Sequence, residues 1–94
     1  MRLLGKRQLN DFSKRHADIR APLDAWVVEV EEGDWNASAD IKARFPSASF
    51  LSENRVIFNI KGNRYRLEVK VSYEVKVVLI TWIGTHAEYS KRKF

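Results

Sequence analysis

The feature that most constrains this chain is a change of hydrophobic period at its midpoint. Up to residue 47 apolar residues recur every three or four positions, and from Ser49 onward they alternate with polar ones. A 3.6-residue period marks a helix with one buried stripe, whereas a period of two marks a strand with one buried face. Helices first and sheet second is an α+β layout, with the helices packed on one face of an antiparallel sheet. The other face is then left for work.

In the first half, Leu9, Phe12 and His16 share a stripe while Lys6, Arg7, Asn10, Lys14 and Arg15 take the remaining sides, which predicts an amphipathic helix over residues 6–17. His16 on that stripe reads as a half-buried packing residue rather than a catalyst. Pro22 suits the first turn of a second helix, where its missing N–H is no loss. Leu23, Trp26, Val27 and Val30 continue the stripe as far as Gly33. The β-branched valines make a strand the competing reading; the spacing and the glycine stop favour helix. Glu29, Glu31, Glu32 and Asp34 form an acidic, solvated end, and Trp35 is expected to plug the core. Asn36 or Ser38 is the expected cap of a short third helix that ends before Pro46. Met1–Leu4 is read as a short strand joining the sheet from outside the main run.

The second half supplies the sheet. Ser49–Ser52 and Arg55–Lys61 are predicted strands with a turn at Glu53-Asn54, and Gly62-Asn63 has the chemistry of a tight two-residue hairpin. Alternation beyond the hairpin puts Arg64, Arg66, Glu68 and Lys70 on one face and Tyr65, Leu67, Val69 and Val71 on the other. Tyr73-Glu74 makes the next turn. Val75–Ile83 is apolar on both faces (Val75, Val77 and Leu79 against Val78, Ile80 and Trp82), which predicts a central strand covered on both sides and broken by Gly84. Phe58, Leu67, Val69 and Leu79 are the expected core.

Charge follows the same division. Residues 1–47 are neutral, with eight Lys/Arg and eight Asp/Glu, and residues 48–94 carry nine Lys/Arg and four Asp/Glu, the whole excess of +5. Basic charge confined to one half, on a patterned strand, implies a localised anionic partner, most simply a nucleic-acid backbone. At 94 residues the chain is expected to form one domain over 1–94. It has no cysteine, and its two histidines lack ligand spacing, so neither a disulfide framework nor a metal site is expected, nor any cofactor. No stretch approaches the ~20 apolar residues of a membrane span, and the start lacks the apolar run of a signal peptide. The cytoplasm is the expected location.

Lys61, Arg64, Arg66 and Lys70 repel one another unless an anion lies between them. Glu68 is expected to relieve part of this by pairing with Arg66 or Lys70, though exposed pairs of that sort contribute only ~0–1 kcal/mol. The cluster therefore suits phosphate, with arginine supplying bidentate contacts. RNA is cut without a metal when a base takes the 2′-OH proton, cations stabilise the phosphorane-like transition state, and an acid protonates the leaving 5′-oxygen. His86 is suited to such proton transfer. Tyr89, three residues on, falls on the same side of a helical turn and can shuttle a proton or stack a base. On residue types alone the pair equally suits a cap on the sheet edge.

Two blocks, Arg55-Val56-Ile57-Phe58-Asn59-Ile60-Lys61-Gly62-Asn63-Arg64-Tyr65-Arg66-Leu67 and Ile83-Gly84-Thr85-His86-Ala87-Glu88-Tyr89, resemble the HigB toxin family of bacterial type II toxin–antitoxin systems, within the RelE/ParE superfamily. The opening residues and Phe45-Pro46 extend the likeness over nearly the whole chain. The resemblance implies a RelE-like fold and a ribosome-dependent mRNA endoribonuclease that inhibits translation, neutralised by a helix-turn-helix antitoxin of the HigA type. The cleavage roles it implies fall on Lys61, Arg64 and Arg66, which would hold the scissile phosphate, and on His86 and Tyr89, so that Arg64, Arg66, His86 and Tyr89 are the expected catalytic residues. Lys61, Lys70 and the basic, frayed tail Lys91, Arg92 and Lys93 are expected to contact RNA. Two departures stand out: Thr81 where the family often has a basic residue in the last strand, and Ser90 where an acidic residue follows the tyrosine. The alternatives are a gyrase-inhibiting toxin of the ParE branch without RNase activity, and a non-enzymatic RNA-binding module. The second is disfavoured by the lack of exposed aromatic pairs on the basic strands.

Overall fold

A computed structural model describes residues 1–92. Three helices, α1 (Lys6–Arg15), α2 (Arg20–Glu32) and α3 (Ser38–Arg44), precede most of the sheet, and a fourth, α4 (His86–Ser90), follows it. The five strands are β1 (Arg2–Leu4), β2 (Ser49–Phe50), β3 (Arg55–Ile60), β4 (Tyr65–Ser72) and β5 (Val77–Thr85). Their spatial order is β1-β5-β4-β3-β2; β1 joins β5 in parallel and every other pair is antiparallel. The α+β arrangement follows the period change, and Met1–Leu4 does enter from outside the main run. Among the described residues no helix is long and apolar enough to cross a membrane.

The helical half matches its stripes, with differences at the ends. α1 buries Leu9 and Phe12 and stops at Arg15, because His16 leaves helical geometry and a 3-10 turn follows at Ala17–Ile19. α2 begins two residues before Pro22 and buries Leu23, Trp26 and Val30; the Gly33 N–H closes it on the Val30 carbonyl. Its acidic end is not simply solvated, since Glu29, Glu31 and Asp34 pair with Arg44, Lys6 and Lys76. Neither Asn36 nor Ser38 caps α3. The Asp40 carboxylate reaches back instead, accepting the N–H groups of Asn36 (2.8 Å) and Ala37 (3.2 Å). Trp35 is buried against Phe45, and Phe45 and Trp26 meet Phe58 edge-on at 4.9 and 5.3 Å.

The sheet departs from simple alternation in three places. First, Ile60 pairs with Tyr65, so the hairpin loop spans residues 61–64, with positive φ at Lys61 and Gly62 rather than at Gly62 and Asn63. Second, β5 runs from Val77 through Gly84 to Thr85, leaving Val75 in an exposed turn and Gly84 opposite Arg66 instead of breaking the strand. Third, Glu68 pairs with Trp82 but Val69 with Ile80, which makes Thr81 the extra residue of a bulge. A bulge reverses the facing of everything beyond it. Val78 and Ile80 therefore point into the helical layer, while Trp82 turns to the opposite face. Phe58, Leu67 and Val69 are core as expected, but Leu79 is 42 % exposed, because it pairs with Leu4 and Lys70 on the face the helices leave open.

Candidate functional site

The open face near the end of β5 carries a row of alternating cations and rings. The Arg66 guanidinium lies over the Tyr89 ring, 5.7 Å from its centre. Tyr89 stands 6.2 Å from Trp82, and the Arg92 guanidinium lies over the Trp82 indole at 4.3 Å. The row depends on Gly84. A Cβ there would come within 2.5 Å of the Trp82 ring, so only glycine lets the indole lie down across β5. Arg66 also donates to the carbonyls of Asn63 in the loop (3.1 Å) and Tyr65 at the start of β4 (3.3 Å), which fixes its head near the hairpin.

Beneath the row is a buried carboxylate. Glu68 is only 5 % exposed; it accepts from the Thr81 hydroxyl at 2.7 Å and pairs with Arg92 at 3.5 Å. The expected pairing with Arg66 or Lys70 is replaced by this one, because the bulge brings Thr81 and Trp82 to Glu68 and the chain after α4 folds back over them. Arg92 is thus held on the sheet and not frayed. Lys93 and Phe94 lie outside the described residues.

α4 sets His86 and Tyr89 one helical turn apart. Five residues are too few for a stable helix alone, and both ends are tied. At the start, Thr85 Oγ1 accepts the Glu88 N–H (3.1 Å) and the Glu88 carboxylate accepts the Thr85 N–H (2.8 Å), a capping box. That backbone bond chiefly holds the Glu88 carboxyl below its usual range. At the end, the Ser90 hydroxyl donates to the His86 carbonyl (2.9 Å). The His86 side chain is exposed, and its backbone N–H donates to the Arg64 carbonyl (2.8 Å). His16 stacks on Phe12 at 4.4 Å and meets Tyr65 edge-on, the packing role expected of it.

The four cations expected to sit together, Lys61, Arg64, Arg66 and Lys70, do not form one cluster. Lys61 and Arg64 both turn to Asp18, at 3.1 and 3.3 Å, where the sequence suggested an empty space for an anion. The Tyr65 hydroxyl also donates to Asp18, at 2.5 Å. This bond first, then the one from Lys61, brings the Asp18 carboxyl down to about 2, and it raises Tyr65 in return. Lys70 lies four residues along β4 from Arg66, roughly 13 Å at strand rise, so the two cannot share one phosphate. It lines an apolar groove of about 640 Å³ with Tyr73, Val75, Val77 and Leu79. Lys91 is exposed beyond α4. Sequence reasoning missed Asp18, Trp82 and the burial of Glu68. It also missed the aromatic pair, which the bulge creates.

An open sheet face edged by guanidinium groups and rings, with a short helix delivering histidine and tyrosine, defines the class: a small α+β protein with one basic, aromatic-lined face. The chain belongs to the HigB toxin family, described as the RelE-like toxic component of a toxin–antitoxin system, whose family model matches residues 19–92. It is 26 % identical over 91 residues to the mRNA interferase toxin HigB of Escherichia coli K12, covering 95 % of this chain and 88 % of that one. The proteins called mRNA interferase HigB in Escherichia coli O157:H7 and Shigella flexneri match to the same extent. Membership in a toxin–antitoxin system implies an antitoxin partner.

Proposed function

We propose that this protein is an endoribonuclease that cuts mRNA in the ribosomal A site, and that Arg66, Tyr89 and His86 form its reaction centre. The observation that carries the reading is the Arg66–Tyr89 contact on an uncovered sheet face, flanked by Trp82 and Arg92. Its relatives' description as mRNA interferases supports it. In this mechanism the 2′-oxygen attacks the adjacent phosphorus, its proton passes to a base, and the leaving 5′-oxygen takes a proton from an acid. His86 and Tyr89 divide those two transfers. Arg66 holds the non-bridging oxygens as charge builds, and Arg64, two residues before it in the hairpin loop, holds the neighbouring phosphate. Lys61, Lys70, Lys91, Arg92 and, beyond the described residues, Lys93 hold flanking RNA. The chain works as one domain over 1–94, in the cytoplasm, and a helix-turn-helix antitoxin of the HigA type silences it.

Induction of the toxin followed by mapping of mRNA 5′ ends tests this reading. New ends should appear within translated frames, carry 5′-hydroxyls opposite 2′,3′-cyclic phosphates, and vanish when initiation is blocked. Growth arrest with intact mRNA and damaged DNA would instead point to the gyrase-inhibiting branch.

A further inference from the structure

We propose that Lys61, Arg64 and the Tyr65 hydroxyl form a binding site for one RNA backbone phosphate, which the Asp18 carboxylate occupies in the free protein and yields when RNA binds. This deepens the endoribonuclease reading and rests on it for the identity of the ligand. Three donors from one hairpin converge on a single carboxylate, at 3.1, 3.3 and 2.5 Å. A carboxylate and a phosphodiester each spread one negative charge over two oxygens, so donors placed for one suit the other. The site opens to solvent on the side of its cations: the side chains of Asp18 and Lys61 are 36 % and 37 % exposed and that of Arg64 is 68 % exposed, while Tyr65 is buried and its hydroxyl forms the floor.

The geometry also says how the exchange must run. Asp18 sits on a single 3-10 turn, and partly exposed ion pairs contribute little net stability, so withdrawing it is not prohibitive. Its carboxyl is ionised throughout the physiological range, as an ordinary aspartate is, and the Tyr65 and Lys61 hydrogen bonds lower its pKa further, to about 2. Protonation therefore cannot release it; a competing anion can. The site adjoins the reaction centre, since the Arg64 carbonyl accepts the His86 N–H. RNA passing from the open face around the hairpin tip meets it next. Until then Asp18 screens two of the protein's exposed cations and lowers indiscriminate binding.

The test uses a 2′-O-methylated RNA oligonucleotide, which binds but cannot be cut through its 2′-oxygen. Asp18→Asn should bind it several-fold more tightly at low salt, and the slope of log affinity against log salt should steepen, because the variant brings one more net positive charge to the same phosphate. Adding Arg64→Gln should remove both gains. Unchanged or weaker binding with an unaltered slope, in a variant whose circular dichroism matches the parent, overturns the proposal and leaves a structural latch. Should Asp18→Asn not fold, NMR of the parent protein decides: the Asp18 and Tyr65 signals must shift as RNA saturates, and signals that stay put overturn it. Parent toxin that cuts mRNA while Asp18→Asn gains nothing sinks the subsite alone. A gain in affinity with no cleavage by the parent keeps the subsite and sinks the endonuclease.

Discussion

Gly84 is the residue on which the open-face row turns. Any side chain there meets the Trp82 indole at 2.5 Å, so Gly84→Ala must lift the ring and disturb Tyr89 and Arg92 with it. Overpacking of this kind costs ~1–3 kcal/mol, readable as a lower urea midpoint together with a change in tryptophan emission. An unchanged midpoint and spectrum would contradict the seating of Trp82 on Gly84. Asp18 makes a prediction in pH. Its carboxyl titrates at about 2 in the folded protein against an ordinary 3.8, so the unfolded chain takes up the proton first. The stabilisation is whole above about 4 and drains away as pH falls towards 2. Thermal melts from pH 5 to pH 2 should show that loss in the parent and a flatter profile in Asp18→Asn; equal slopes would contradict the latch. Neither residue announced itself in the sequence. Asp18 and Tyr65 are 47 positions apart, with no local pattern linking them, and a glycine at the end of an apolar run reads as a break.

The elements themselves were largely legible, because each follows from a local period. Helical stripes marked α1 and α2, alternation marked β3 and β4, and Pro46 closed α3. β5 was not fully legible, since a bulge is set by how two strands fit and leaves no signature in either. Its consequence is measurable. Leu67 is fully buried and Leu67→Ala should cost ~2–5 kcal/mol, whereas Leu79→Ala, on the open face, should stay within about 1 kcal/mol, as burial-scaled transfer energies dictate. Urea titrations giving the two equal losses would contradict the register. The same bulge supports α4, through Glu68 and Arg92. Arg92→Met takes the cation from a carboxylate whose side chain is 7 % exposed; with the pair 3.5 Å apart and Arg92 27 % exposed, the loss should be about 1–3 kcal/mol. Replacing Glu68 by Met as well should recover most of that loss. If the double variant is as unstable as the single, the pair is not what fastens this segment.

At the scale of the molecule, the helices bury one face of the sheet and the other carries the proposed reaction centre. The basic strand and the His86–Tyr89 pair could be located from sequence; their partition could not. Lys61 and Arg64 are bound to Asp18, Lys70 lies at the far end of β4, and Arg66 stands with Tyr89. Arg66 and Tyr89 are therefore expected to matter more to the reaction than Lys61, Arg64 or Lys70. The most direct test is single-turnover cleavage of mRNA on programmed ribosomes by the parent, Arg66→Ala, Tyr89→Phe and Lys70→Ala proteins. Removing a charge contact made in the transition state should slow Arg66→Ala by ~10²–10³-fold, and loss of a proton-transfer group should slow Tyr89→Phe by ~10²–10⁴-fold. Lys70→Ala should cut within a few-fold of the parent. Folded Arg66→Ala that cuts as fast as the parent, or a parent that leaves ribosome-bound mRNA intact, would contradict the account.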